Sequence, residues 1–216
     1  MAQALESDFD VDRDIPDLFG KVILITGGEL DISIYFRKCF DFCTGNAGIG
    51  KAVCLNLAKH NPQRIYIAAR NPITSEEAIT ELKRMAPKVM VTFIECNLRS
   101  LESVKKAAEQ VISSATRLDL LFCNAGILGA PPGLTDDGYE VHFGVNHLGH
   151  ALLIKLLMPM LLKTAELCSD IRVVSTTSDG YRFHAPQGIV FTDLRTRQEN
   201  LTLIGMFGGW LRYFRE

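Results

Sequence analysis

Five short strand-like runs, the first four each followed by a stretch of helical periodicity, constrain what this chain can fold into more than any other feature. The runs are KVILITG (21–27), RIYIAAR (64–70), VMVTFIEC (89–96), DLLFCNAG (119–126) and IRVVSTTS (171–178). KVILITG is a continuous apolar run, the pattern of a strand buried on both faces. Between them, GKAVCLNLAKH (50–60) sets Val53, Leu57 and Ala58 at helical spacing. SEEAITELKRMA (75–86) reads as a helix with Ser75 as N-cap and acids in its first turn. SLESVKKAAEQVISS (100–114) reads as a helix capped by Ser100, and YEVHFGVNHLGHALLIKLLMPMLLKT as one long apolar helix. Alternating strands and helices predict an α/β fold, a doubly wound parallel sheet covered on both faces. Such sheets bind ligands at the carboxyl ends of their strands, where strand order reverses.

Composition narrows the function classes. A formal net charge of −2 with no basic stripe argues against a nucleic-acid partner. The acidic start, MAQALESDFDVDRDIPD, lacks the apolar core of a secretory signal. The most apolar stretch, ALLIKLLMPMLL (151–162), is broken by Lys155 and Pro159 and falls short of the ~20 residues a membrane span needs. The expectation is a cytoplasmic protein with no membrane span, a polar tail at 1–19 and one domain over 20–216. Its six cysteines, at 39, 43, 54, 96, 123 and 168, sit mostly in apolar contexts and behave as small hydrophobes. Neither Cys39 with Cys43 nor His147 with His150 has the further ligands a zinc site requires, so no metal is expected.

The first strand ends at Thr26-Gly27, and a glycine turn, GNAGIG, opens only at Gly45. Omitting residues 28–44 joins Thr26 and Gly27 to Gly45, Asn46, Ala47, Gly48, Ile49 and Gly50, a TGxxxGIG turn leading from strand to helix. Glycines at these places permit a tight turn and let the backbone approach a pyrophosphate at the helix N-terminus. The uninterrupted run TGNAGIG (44–50) is one residue short of that spacing.

The repaired TGGNAGIG turn, the Asn124-Ala125-Gly126 turn after the fourth strand, DGYEVHFGVNHLGH and VVSTTS, in that order, resemble the short-chain dehydrogenase/reductase family. VNHLGH points to its retinol-dehydrogenase and WW-domain-oxidoreductase-like branch. The likeness runs from about Gly20 to Tyr213, with residues 28–44 foreign to it, and implies a Rossmann-like fold, C-terminally incomplete relative to the family. It disfavours a methyltransferase on a similar sheet.

The resemblance also implies roles. Thr26, Gly27, Gly45, Asn46, Gly48, Ile49 and Gly50 would cradle the cofactor phosphates. Asn97-Leu98 match a position usually Asp-Leu, near the adenine. Asn124, Ala125 and Gly126 would lie beside the cofactor and steady the sheet, and Lys155 stands where related enzymes often carry a basic residue. Arg70 follows the second strand, where an acid would bind the ribose hydroxyls of NAD; an arginine there accommodates a 2′-phosphate, so the expected cofactor is NADP (NADPH). Asn146, Ser178 and Tyr213 match three members of the Asn-Ser-Tyr-Lys tetrad. In the family a tyrosine exchanges the proton on the carbonyl or alcohol oxygen, and a free phenol of pKa about 10 needs a nearby cation for this. The family lysine, four residues after the tyrosine, has no counterpart, because the chain reads Tyr213-Phe214-Arg215-Glu216 and stops.

Residues 28–44 (GELDISIYFRKCFDFCT) are aromatic-rich and split the phosphate turn itself. Gly28-Glu29 can be encoded as G|GTGAG and Thr44-Gly45 as ACAG|GN, the two ends of a short intron, and a retained intron is the reading adopted here. The lineage expectation is an NADP-dependent oxidoreductase acting on a small carbonyl/alcohol substrate, impaired in this chain, from a family whose members often homo-oligomerise. The alternative is a non-catalytic nucleotide-binding or interaction fragment that pairs with full-length relatives through its long apolar helix.

Overall fold

A computed structural model of the chain describes residues 8–27, 48–127, 130–168, 170–177 and 189–199. Its centre is a sheet of five parallel strands: β1 (Val22–Thr26), β2 (Arg64–Ala69), β3 (Met90–Glu95), β4 (Leu120–Cys123) and β5 (Arg172–Ser175). The spatial order is β3-β2-β1-β4-β5. Order reverses between β1 and β4, which pair from Ile23–Leu120 to Ile25–Phe122. The expected doubly wound α/β architecture is therefore present, with its switch point at the carboxyl ends of β1 and β4.

The sequence of β1 explains why it lies at the centre. All five of its residues are buried. Val22 and Leu24 face one apolar cluster with Val104, Ala108, Leu153 and Leu157, while Ile23 and Ile25 face another with Cys54, Leu57 and Leu82. Period-2 alternation sends successive side chains to opposite faces, so a strand covered on both sides must be apolar throughout. The covering helices are α2 (Ile49–Lys59), α3 (Pro72–Met85), α4 (Leu101–Ser114) and α5 (Gly149–Ala165), with a short α1 (Val11–Asp14) in the N-terminal segment.

Two helix details depart from expectation. α3 starts at Pro72, not after Ser75: Asn71 is the N-cap, its side chain accepting from the Ile73 amide, and Pro72 takes the first helical position. Proline there has its φ already set and needs no N–H partner, so Asn-Pro outcompetes serine as a start. Ser75 is buried within the first turn, its hydroxyl donating to the Asn71 carbonyl at 2.9 Å, and that turn holds no acid. The Ser100 cap of α4 is as expected, accepting from the Ser103 amide.

The long apolar helix is not uniform either. It opens with a π-helical segment, Phe143–Leu148, before α5. Together these span 23 residues, so the run is long and apolar enough to cross a membrane by length and composition, contrary to the shorter estimate from 151–162. In the fold, Leu153, Leu157 and Leu161 form its buried stripe and Lys155 and Pro159 lie exposed. Cys54, Cys96 and Cys123 are buried, and burial pushes each thiol up to about 12. Cys39 and Cys43 lie outside the described residues.

Candidate functional site

The site is built where β1 and β4 end. At the end of β1, Gly27 adopts φ +73°, and a Cβ there would lie 2.8 Å from the Ala125 Cα. Gly50, in the first turn of α2, packs so closely on β1 that a Cβ would overlap the Gly27 carbonyl oxygen. Strand end and helix start are thus in contact, although residues 28–47, which connect them, are outside the described residues. Gly48 precedes α2 at φ +146°, a backbone state that only glycine adopts readily. It offers no side-chain cap, no acid stands in the first turn, and a Cβ on Gly48 would meet only open space. A helix N-terminus of three turns with no side-chain cap among the described residues presents the positive end of the helix dipole, a setting for an anion.

Thr26 ties the two turns together. Its hydroxyl oxygen accepts from the Asn124 and Ala125 amides at 2.9 and 3.0 Å. Asn124 in turn donates its side-chain amide to the Thr26 and Gly27 carbonyls at 3.3 and 3.5 Å, and accepts from the Thr176 hydroxyl at 3.3 Å. Asn146, in the π-helical segment, clamps the chain beyond this turn: its side chain accepts from the Ile127 amide at 2.8 Å and donates to the Ile127 carbonyl at 3.0 Å. A Cβ on Gly126 would lie 3.3 Å from the same Asn146 oxygen. π-helical turns concentrate at functional sites because the extra residue re-aims a side chain.

The other expected positions divide. Arg70 is exposed immediately after β2. Asn97 closes an Asx turn after β3, accepting from the Arg99 amide at 3.1 Å. Leu98 is buried, and Gly149 lets α5 approach it, a Cβ there falling 3.0 Å from the Leu98 side chain. Lys155 is exposed on α5. Gly45, Asn46, Ser178 and Tyr213 lie outside the described residues.

Sequence reasoning missed the part played by His150. Weighed there as a metal ligand, it is buried, with Nε2 2.8 Å from the Thr26 hydroxyl and Nδ1 3.2 Å from the Asn146 carbonyl. Burial pushes its imidazole below the ordinary value. His147 instead stacks on Phe143 at 5.3 Å, and no metal-binding cluster occurs among the described residues. Glu140 and His142 were missed too. The Glu140 carboxylate accepts from the His142 and Phe143 amides at 2.7 and 2.9 Å, which starts the long helix, and it holds His142 Nδ1 at 2.9 Å. A signal for His150 was present: a polar residue one turn after Asn146 in an otherwise apolar helix.

Residues 42–191 match the family of short chain dehydrogenases. The chain belongs to that family. The match starts after most of residues 28–44 and leaves β1 outside it. Among curated relatives, the chain is 34% identical to an uncharacterized oxidoreductase of Schizosaccharomyces pombe, over 91% of this chain and 53% of the relative. It is also 34% identical to retinol dehydrogenase 12 of Mus musculus, over 78% of this chain and 48% of the relative. The chain thus spans about half the length of the curated relatives it matches. A crystal structure of an uncharacterized protein from Mycobacterium paratuberculosis superposes with a TM-score of 0.65 at 26% identity, covering 96% of this chain and 60% of that one. These likenesses establish the oxidoreductase lineage and the Rossmann-like fold.

Proposed function

We propose that this chain carries the nucleotide-binding part of an NADP-dependent oxidoreductase, which moves hydride between a nicotinamide and a small, fairly apolar carbonyl or alcohol. The observation that carries the reading is the contact of Gly27 with Gly50 beneath the uncapped start of α2, at the topological switch point. Glycine is required on both sides of that contact, and the space beside Gly48 suits a pyrophosphate. Residues 28–44 are then an insert into the phosphate turn, and the start of the family match at residue 42, past most of them, is in keeping with this.

The roles proposed are those the family resemblance implies. The α2 amides, with Gly27, Gly45, Asn46, Gly48, Ile49 and Gly50, hold the phosphates. Arg70, at the end of β2, takes a 2′-phosphate, while Asn97 and Leu98 border the adenine. Thr26, Asn124, Ala125 and Gly126 form the wall beneath the nicotinamide half. The nicotinamide supplies or accepts the hydride when bound. Ser178 steadies the substrate oxygen, Tyr213 exchanges its proton, and Asn146 supports the path by which that proton leaves.

The test is fluorescence titration of the full chain with NADPH and with NADH, followed by turnover assays on apolar aldehydes and ketones. The reading expects NADPH to bind more tightly, and Arg70→Asp to weaken NADPH by roughly 10–100-fold, since a hydrogen bond to a charged group contributes about 1.5–3 kcal/mol. Equal weakening of NADPH and NADH by that variant would contradict the 2′-phosphate role. NADPH binding without turnover would favour the non-catalytic alternative.

A further inference from the structure

We propose that His150 is a positioning residue for the nucleotide cradle, fixing the direction of the Thr26 hydroxyl and thereby the turn at Asn124 and Ala125. This rests on the reading of that cradle given above. The hydrogen positions follow by elimination. The Asn146 carbonyl can only accept, so His150 Nδ1, 3.2 Å away, carries the hydrogen between them. In the neutral ring Nε2 is then an acceptor, and the Thr26 hydroxyl, 2.8 Å away, donates to it. With its hydrogen committed to His150, Thr26 keeps both lone pairs for the Asn124 and Ala125 amides. Every valence of this hydroxyl is thereby used.

The arrangement is directional. Without an acceptor at His150 Nε2, the Thr26 hydroxyl would turn toward the Phe122 carbonyl, which lies at a long 3.4 Å. That rotation swings the lone pairs away from the two amides and leaves them poorly paired in a half-buried turn. A charged ring would be equally disruptive, because Nε2–H would compete with those amides for the same oxygen. The ring is 6% exposed, and burial, with His147 nearby on the same helix acting in the same direction, lowers its proton affinity and keeps it neutral. One imidazole therefore links the end of β1, the turn after β4 and the π-helical backbone at Asn146.

Two variants separate positioning from packing. Glutamine can place an oxygen near the Nε2 position, whereas asparagine reaches only the Nδ1 position. His150→Gln is expected to keep NADPH affinity within about twofold of the natural chain. His150→Asn is expected to weaken it about five- to tenfold, the worth of one hydrogen bond. It should also speed amide exchange at Asn124 and Ala125 by a similar factor. Long-range ¹H–¹⁵N spectra of the unaltered chain are expected to show His150 neutral, protonated at Nδ1 and bare at Nε2. A proton on Nε2 in those spectra would overturn the proposal whether or not either variant folds. So would equal affinities and equal exchange rates for the two variants. Should the unaltered chain bind no NADPH, the cofactor reading fails while the tautomer and the exchange rates still judge His150.

Discussion

At the scale of single residues, the site depends on what is absent from Gly50. A methyl group there overlaps the Gly27 carbonyl, which is backbone and cannot rotate aside. Gly50→Ala must therefore push α2 away from β1, and overpacking of this kind costs about 1–3 kcal/mol. Urea denaturation is expected to show that loss, together with a loss of NADPH binding larger than the loss of stability explains. An alanine that left both unchanged would mean the strand and helix are not in contact. The glycines were legible because a phosphate turn demands them at set spacing. His150 was not, because its partners, Thr26 and the Asn146 backbone, meet it only after β1 and α5 pack on one another. Arg70 could be read as a strand-end cation because it directly follows the apolar run of β2.

At the scale of elements, the opposite end of β1 is anchored by charge. Asp119, buried just before β4, accepts from the Val22 amide at 2.9 Å and from Arg117 at 2.9 and 2.5 Å, with Lys21 at 3.3 Å. Burial alone would raise its pKa, yet Arg117, the Val22 amide and Lys21 outweigh it and hold the carboxyl below the usual carboxylate range. A depressed carboxylate stabilises the fold fully above its unfolded pKa, about 3.9, and that share is lost as pH falls through the lower folded value. Asp119→Asn is expected to cost about 2 kcal/mol at pH 7 and to lose much of that penalty at pH 3, read by urea denaturation at both pH values. A penalty independent of pH would show that the amide exchange disturbs packing rather than charge.

β1, β2 and β4 were legible because burial on both faces makes them largely apolar, as in VILIT of β1. Starts of helices were less so: Asn71-Pro72 and Ser75 are both credible caps, and only the packing of α3 chooses between them. The π-helical turn at Phe143–Leu148 left no periodic trace, since one extra residue in a single turn is set by the Asn146 clamp and the Glu140 cap.

At the scale of the whole molecule, the two sides of the sheet differ. β1, β2 and β4 are enclosed, whereas all four residues of β5 are exposed, with Val173 and Val174 at 40% and 39%. Among the described residues β5 is an edge strand, and a parallel edge with exposed valines invites association. The expected outcome is concentration-dependent self-association in sedimentation experiments, reduced by Val173→Lys; an unchanged profile would place the association elsewhere or exclude it. The larger question is whether residues 28–44 interrupt a working cradle. Loop closure becomes costly only slowly with length, so the insert need not separate Gly27 from Gly50. The most direct measurement compares NADPH affinity of the full chain with that of a version joining Gly27 directly to Gly45. Saturable NADPH binding is expected of the joined chain, abolished by Gly50→Ala, with weaker binding at the same site by the full chain. A joined chain that folds but binds no dinucleotide would contradict the cofactor reading.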